Sequence, residues 1–200
     1  GRLHHPNLIA VHDVGEADGL MFFSMELVDG TTVNELLRRH GRIPELRALE
    51  ICRQTLEALK FAHSNGMVHR DIKPDNIMLT SANVAKLCDL GLAKLTTANG
   101  DSFQTQAGMA VGTPHYISPE QARGDANVDS RSDIYSLGAT FYHLLTGKTP
   151  FNAPTSASVM ALHLTESAPN PCDIDHSIPI GYGQVLAKMM AKEPDDRYLL

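Results

Sequence analysis

Cysteine is scarce in this sequence and follows no pattern. Only Cys52, Cys88 and Cys172 occur. The odd count and irregular spacing exclude a disulfide framework and point to a reducing compartment, which we read as the cytoplasm. No Cys-x-x-Cys pair and no zinc pattern is present. No apolar run reaches membrane-spanning length, and no signal peptide is visible. Membrane contact is therefore not expected from this segment. Positive charge is also short: 17 Lys and Arg stand against 23 Asp and Glu, a net charge of −6. Without a long basic run, nucleic acid is not a natural partner. Internal repeats and low-complexity tracts are absent. So is an initiator Met, and the chain stops at Arg197-Tyr198-Leu199-Leu200. We expect a piece of a longer protein, whose other parts include any membrane anchor. What remains is 200 residues, 42% apolar, enough for one domain with a real core.

Hydrophobic periodicity orders the chain. Residues 8–14 and 20–28 read as strands around a turn at 15–19. Residues 32–40 predict a short helix capped by Thr31 or Thr32. Pro44 opens a longer helix running to about Ser64, with Leu46, Leu49, Cys52, Leu56, Leu59 and Ala62 on its core face. His63 falls at its end, where it is structural, and Gly66 terminates it. Short strands follow at 77–79 and 85–87. Residues 92–110 lack periodicity and hold Thr96, Thr97, Ser102 and Thr105, which suits a regulatory loop. Helices are expected at 130–146, 156–166 and 180–192, with a Pro-rich loop at 168–179. The fold class is α+β.

One stretch organises the rest: Val68-His69-Arg70-Asp71-Ile72-Lys73-Pro74-Asp75-Asn76-Ile77-Met78-Leu79. Apolar walls bracket a polar core, and Pro74 stiffens it. Asp71 and Asn76 are five apart, so a turn brings both to one site. Asp71 suits accepting a proton from a hydroxyl. Asn76, with Asp89 of Cys88-Asp89-Leu90-Gly91, suits a hard divalent cation.

These residues resemble the catalytic loop and metal-binding motif of protein kinases. The resemblance continues through Gly112-Thr113-Pro114-His115-Tyr116-Ile117-Ser118-Pro119-Glu120 and Asp133-Ile134-Tyr135-Ser136-Leu137-Gly138. It implies a kinase-like fold, with 1–28 as the end of the small lobe and 29–200 as the large lobe. Within the latter lie a catalytic loop at 68–79 and an activation segment at 89–120. It implies ATP and Mg2+, or Mn2+, as cofactors. Asp71 would be the base, Lys73 would stabilise the moving phosphoryl group, and Thr113 would contact both and favour Ser or Thr acceptors. A Lys two after the Asp is similar to serine/threonine rather than tyrosine kinases. Asn76 and Asp89 would hold the metal. Met25, Glu26, Val28 and Met78 would line the nucleotide, through the Glu26 carbonyl and Val28 amide at the hinge. His69 and Leu90 would support the site. Glu120 and Arg197 would pair, and Asp133 would brace the catalytic loop, a position that an acid facing the helix dipole also explains.

Arg70, buried beside Asp71, is expected to need an anion, supplied by phosphate on Thr105. Protein substrates with Ser or Thr acceptors are the implied partners, together with a kinase dimer for autophosphorylation of the loop. The Gly-Thr-Pro-His-Tyr-Ile-Ser-Pro-Glu-Gln run is most similar to bacterial members. Two departures matter. Leu90 replaces the usual Phe. The Gly-rich phosphate loop, the strand Lys and the helix Glu of the family are not among these residues and belong before Gly1. Without them, a catalytically silent binding module is the competing expectation.

Overall fold

The computed structural model describes residues 4–17, 20–90 and 114–200. β1 (Val11–Ala17) and β2 (Leu20–Met25) pair antiparallel, from Val11 opposite Met25 to Ala17 opposite Leu20, with a bulge between Val11 and Asp13. The strand starts later than the alternation predicts. Residues 7–9 turn aside to dock on the neighbouring sheet: Leu87 N–H donates to the Asn7 carbonyl at 2.8 Å, and Ile9 N–H to the Leu87 carbonyl at 3.0 Å. β1 also runs to Ala17, through the stretch expected to turn.

A second sheet has the order β3 (Gly30–Thr32), β4 (Ile77–Thr80), β5 (Ala85–Leu87), all antiparallel. β3 was not legible as a strand. Its first residue must be small: a Cβ on Gly30 would stand 2.0 Å from the Leu79 carbonyl oxygen.

α1 (Val33–His40) begins at a complete capping box. Thr32 accepts from Glu35 N–H at 3.1 Å, and the Glu35 carboxylate accepts from Thr32 N–H at 3.2 Å. α2 (Glu45–Ser64) buries Ala48, Ile51, Cys52, Thr55, Ala58, Leu59 and Ala62. Leu46 and Leu49, expected in the core, are 78% and 42% exposed. The apolar residues of α2 span more of its circumference than its partners cover. Cys52, Leu59 and Ala62 are buried as expected, and Ala48, Ile51 and Ala58 complete the contact face.

α3 (Pro119–Arg123) is a short turn with a Ser118–Gln121 capping box. α4 (Ser130–Thr146) is the axis of the molecule; Ser132 through Phe141 are all buried. Its apolar side chains each contribute roughly 1.5–3 kcal/mol. α2 packs on one side of it. α7 (Ile180–Met189) packs on another, and Gly138 makes that approach close: a Cβ there would lie 2.9 Å from Met189 Cβ and Met190 Cγ. α5 (Ser156–Thr165) and α6 (Pro171–Ile174) complete the α-helices among the described residues, α6 being a helical turn inside the Pro-rich loop. None of the described helices is long and apolar enough to cross a membrane.

Candidate active site

The loop between α2 and β4 takes its shape from hydrogen bonds to other elements. Arg70 has φ 68°, in the left-handed region that a long side chain rarely adopts. Asp133, near the start of α4 and fully buried, holds it there. One carboxylate oxygen accepts from Arg70 N–H at 2.7 Å. The other accepts from His69 N–H at 2.9 Å and from His63 Nε2 at 2.8 Å. An ionised carboxylate only accepts, so His63 donates from Nε2. His63 Nδ1 is buried without a partner among the described residues.

His69 ties this loop to the next. Its Nε2 lies 2.6 Å from the Cys88 carbonyl, which requires a donor, and its Nδ1 accepts from Asp71 N–H at 3.3 Å. Cys88 N–H in turn donates to the Asn76 carbonyl at 2.9 Å. Burial, with the charge of Asp89 adding to it, pushes the Cys88 thiol up to about 12. The thiol is therefore neutral and donates to the same carbonyl at 3.2 Å.

Asp71 lies on the exposed side of this scaffold. Lys73 Nζ is 2.7 Å from its Oδ2. Asn76 Nδ2 donates both to that oxygen at 2.9 Å and to the Asp71 carbonyl at 2.8 Å. A 3-10 turn over Pro74–Asn76 closes the five-residue gap. Asp89, exposed, follows Cys88 with φ 65°. Leu90 packs half-buried against the main core. The structure thus gathers Asp71, Lys73 and Asn76 into one cluster and attaches Asp89 to it through Cys88 and His69. Among the described residues no three His, Cys, Asp or Glu side chains group to hold a metal unaided.

Of the residues expected to line the nucleotide, Met25, Glu26 and Val28 lie earlier in the chain. Met25 ends β2, 38% exposed. Glu26 N–H donates to the Ala10 carbonyl at 2.8 Å, and its carboxylate pairs with Lys86 of β5 at 2.8 Å. That Lys86 contact, working against partial burial, holds the Glu26 carboxyl below its ordinary value. Val28 is half-buried, and Met78 lies half-buried on β4 opposite Lys86.

Arg70 departs from expectation. It is exposed rather than buried, because its left-handed backbone turns the side chain outward. Its carbonyl accepts from Gln121 Nε2 at 2.7 Å, which moors α3 to the loop. Thr105 and Thr113 lie outside the described residues.

Glu120 and Arg197 form a buried bidentate pair at 2.6 and 2.9 Å. The guanidinium also donates to the carbonyls of Ala191, Arg131 and Lys192 at 2.8, 3.0 and 2.9 Å. Ser132 Oγ donates to Glu120 as well. Burial by itself would raise the Glu120 carboxyl; Arg197 and Ser132 outweigh it and hold the group low. His63, Gln121 and Lys86 were not legible as partners of the site, because nothing in sequence spacing links them to it.

A family model for the protein kinase domain matches residues 1–199. The serine/threonine-protein kinase PknB of Mycobacterium leprae (strain TN) is 42% identical over 201 residues, which is 98% of this chain and 32% of that protein. The serine/threonine-protein kinase PknH of Mycobacterium tuberculosis (strain ATCC 25618 / H37Rv) is 42% identical over 198 residues, 99% of this chain and 31% of the relative. The crystal structure of Rad53 1-466 in complex with AMP-PNP superposes with a TM-score of 0.80 at 28% identity. It covers 98% of this chain and 48% of that one. The chain spans about a third of the length of these curated relatives. With the Asp71 cluster, its brace and the match over nearly every residue in agreement, the chain belongs to the protein kinase domain family.

Proposed function

We propose that the protein containing this domain transfers the γ-phosphate of ATP to Ser or Thr hydroxyls of proteins. The observation that carries this is the Asp71 cluster, held in place by Asp133 from beneath. Asp71 accepts the acceptor hydroxyl's proton at Oδ1, since Lys73 and Asn76 both donate to Oδ2. Lys73 places positive charge beside the carboxylate, where the moving phosphoryl group needs it. Asn76 fixes the Asp71 rotamer. A magnesium ion, or manganese, supplies charge neutralisation on the nucleotide phosphates when bound. Asn76 and Asp89 fit such an ion. Asn76 commits its side-chain nitrogen to Asp71 and keeps its side-chain oxygen, and Asp89 is exposed one residue past Cys88. Two protein oxygens suit an ion that also keeps waters and phosphate oxygens.

In the same reading, 1–28 closes the small lobe and 29–200 forms the large lobe. The Glu26 carbonyl and Val28 amide meet adenine, between Met25 and Met78. Thr113 contacts Asp71 and Lys73. The setting is bacterial signalling, with the kinase domain in the cytoplasm and domains pairing to phosphorylate one another's loops. In the full-length protein, Asp89→Asn should raise the KM for magnesium-ATP several-fold or more while leaving the acceptor KM near wild type. Unchanged nucleotide kinetics would remove Asp89 from the metal site.

Arg70 gives the switch. It is exposed, and among the described residues no carboxylate pairs with it. Phosphorylated Thr105 would add about −1.5 to −2 charges for that guanidinium to bind. Comparison of Thr105→Ala, Arg70→Ala and the double variant tests the pair. Coupled residues predict a double variant little worse than either single one. Additive losses, or a Thr105 never found phosphorylated, would reject it.

A further inference from the structure

A second polar cluster lies away from the catalytic loop, around His163 of α5. His163 is fully buried. Its Nε2 stands 3.1 Å from the His115 carbonyl, and its Nδ1 stands 2.9 Å from the Tyr135 hydroxyl of α4. Lys192 Nζ, just past α7, lies 3.4 Å from that hydroxyl and 2.8 Å from the His163 carbonyl. Phe151 packs edge-on to the His163 ring at 4.8 Å.

The chemistry of the two ends fixes the direction of every bond. A carbonyl only accepts, so His163 Nε2 carries the hydrogen. Nδ1 of the neutral ring then accepts from the Tyr135 hydroxyl. With its own proton committed, the hydroxyl accepts from Lys192, which only donates. One chain runs from Lys192 through Tyr135 and His163 to the main chain at His115, and each bond polarises the next. Burial, reinforced by the charge of Lys192, pulls His163 down to about 4, so the ring is neutral as this order needs. His115 is fastened a second time: its Nδ1 donates to the Phe151 carbonyl at 3.1 Å.

The fastened stretch leads directly into the helix that is moored to the Asp71 loop. Tyr116 bonds His143 through its hydroxyl at 2.8 Å. Three residues after it, α3 begins, and its Gln121 holds the Arg70 carbonyl. The main chain at 115–118 is thus located from the Asp71 loop on one side and from His163 on the other.

We propose that His163 is a positioning residue for the protein acceptor. It sets the main chain at His115 relative to Asp71, an inference that rests on the kinase reading. A shift of about 1 Å there misaligns the acceptor hydroxyl without disturbing the nucleotide.

The test uses the full-length protein with His163→Leu and His163→Gln. Gln retains a donor for the His115 carbonyl; Leu removes it. Hydrogen exchange of the amides of residues 115–118 reads the positioning without any activity. Steady-state kinetics read its consequence. The expected result for Leu is faster exchange at 115–118 with α2 and α4 unchanged. The KM for a Ser or Thr peptide should rise about tenfold, the scale of one lost buried hydrogen bond, at unchanged KM for ATP. Gln should fall between Leu and wild type in both. Unchanged exchange at 115–118 overturns the proposal. So does exchange that rises equally throughout, with Gln no better than Leu. A wild-type protein without transferase activity would instead overturn the kinase reading, and the exchange data would still decide the role of His163.

Discussion

Glu120 and Arg197 are both buried, and each would be costly there alone. Five donors of the guanidinium meet two carboxylate oxygens and three carbonyls, so the pair is fully satisfied. Glu120→Gln leaves the Arg197 charge uncompensated and should cost about 3–5 kcal/mol in urea unfolding at neutral pH. The pH dependence has a definite sign. The folded Glu120 carboxyl lies below its ordinary value of 4.5, so its stabilisation is present above that pH. It is lost as pH falls through the lower, folded value. Wild type should therefore lose stability below pH 4.5 more steeply than Glu120→Gln. Parallel acid profiles would contradict the ionised pair. At this scale the sequence was informative about which residues gather at Asp71 and poor about partners such as His63, Gln121 and Lys86. The grouping of Asp71, Lys73 and Asn76 was legible because the cluster is built within six consecutive residues. Arg70 was misjudged because exposure depends on a left-handed φ that its residue type does not announce. The Lys192–Tyr135–His163 chain joins positions far apart and carries no spacing signal.

Elements followed local chemistry where local chemistry decides. α1 starts directly after Thr32 because Thr32 and Glu35 satisfy each other's amides. α4 was read nearly to the residue, since a helix buried all round shows in its composition. α2 buries Cys52, Leu59 and Ala62 as its spacing predicts, but Ala48, Ile51 and Ala58 complete its core face in place of Leu46 and Leu49. The β1 boundary was missed because a parallel bridge between Leu8 and Leu87 takes the chain away first. Gly138 is an element-scale constraint: it lets α4 and α7 approach closely. Gly138→Ala should destabilise the domain by about 1–3 kcal/mol through overpacking, despite the better helix propensity of Ala. A melting temperature at or above wild type would show that α7 yields instead.

At the scale of the molecule, α4 joins the parts. Its first turns hold the catalytic loop through Asp133, its middle carries Tyr135 and Gly138, and α2 and α7 pack along its sides. The residues assigned to the proposed transfer then stand on loops positioned by a rigid helical body. The central claim is that Asp71 serves as the base of a phosphoryl transfer, and one comparison tests it most directly. Transfer of the γ-phosphate from ATP to a Ser- or Thr-containing protein is measured for the full-length wild type and for Asp71→Asn. The account predicts that turnover falls about a hundredfold or more while the KM for ATP stays near wild type, because Asp71 faces the acceptor. Equal rates in the two proteins, or no transfer by wild type with magnesium and ATP present, would contradict it.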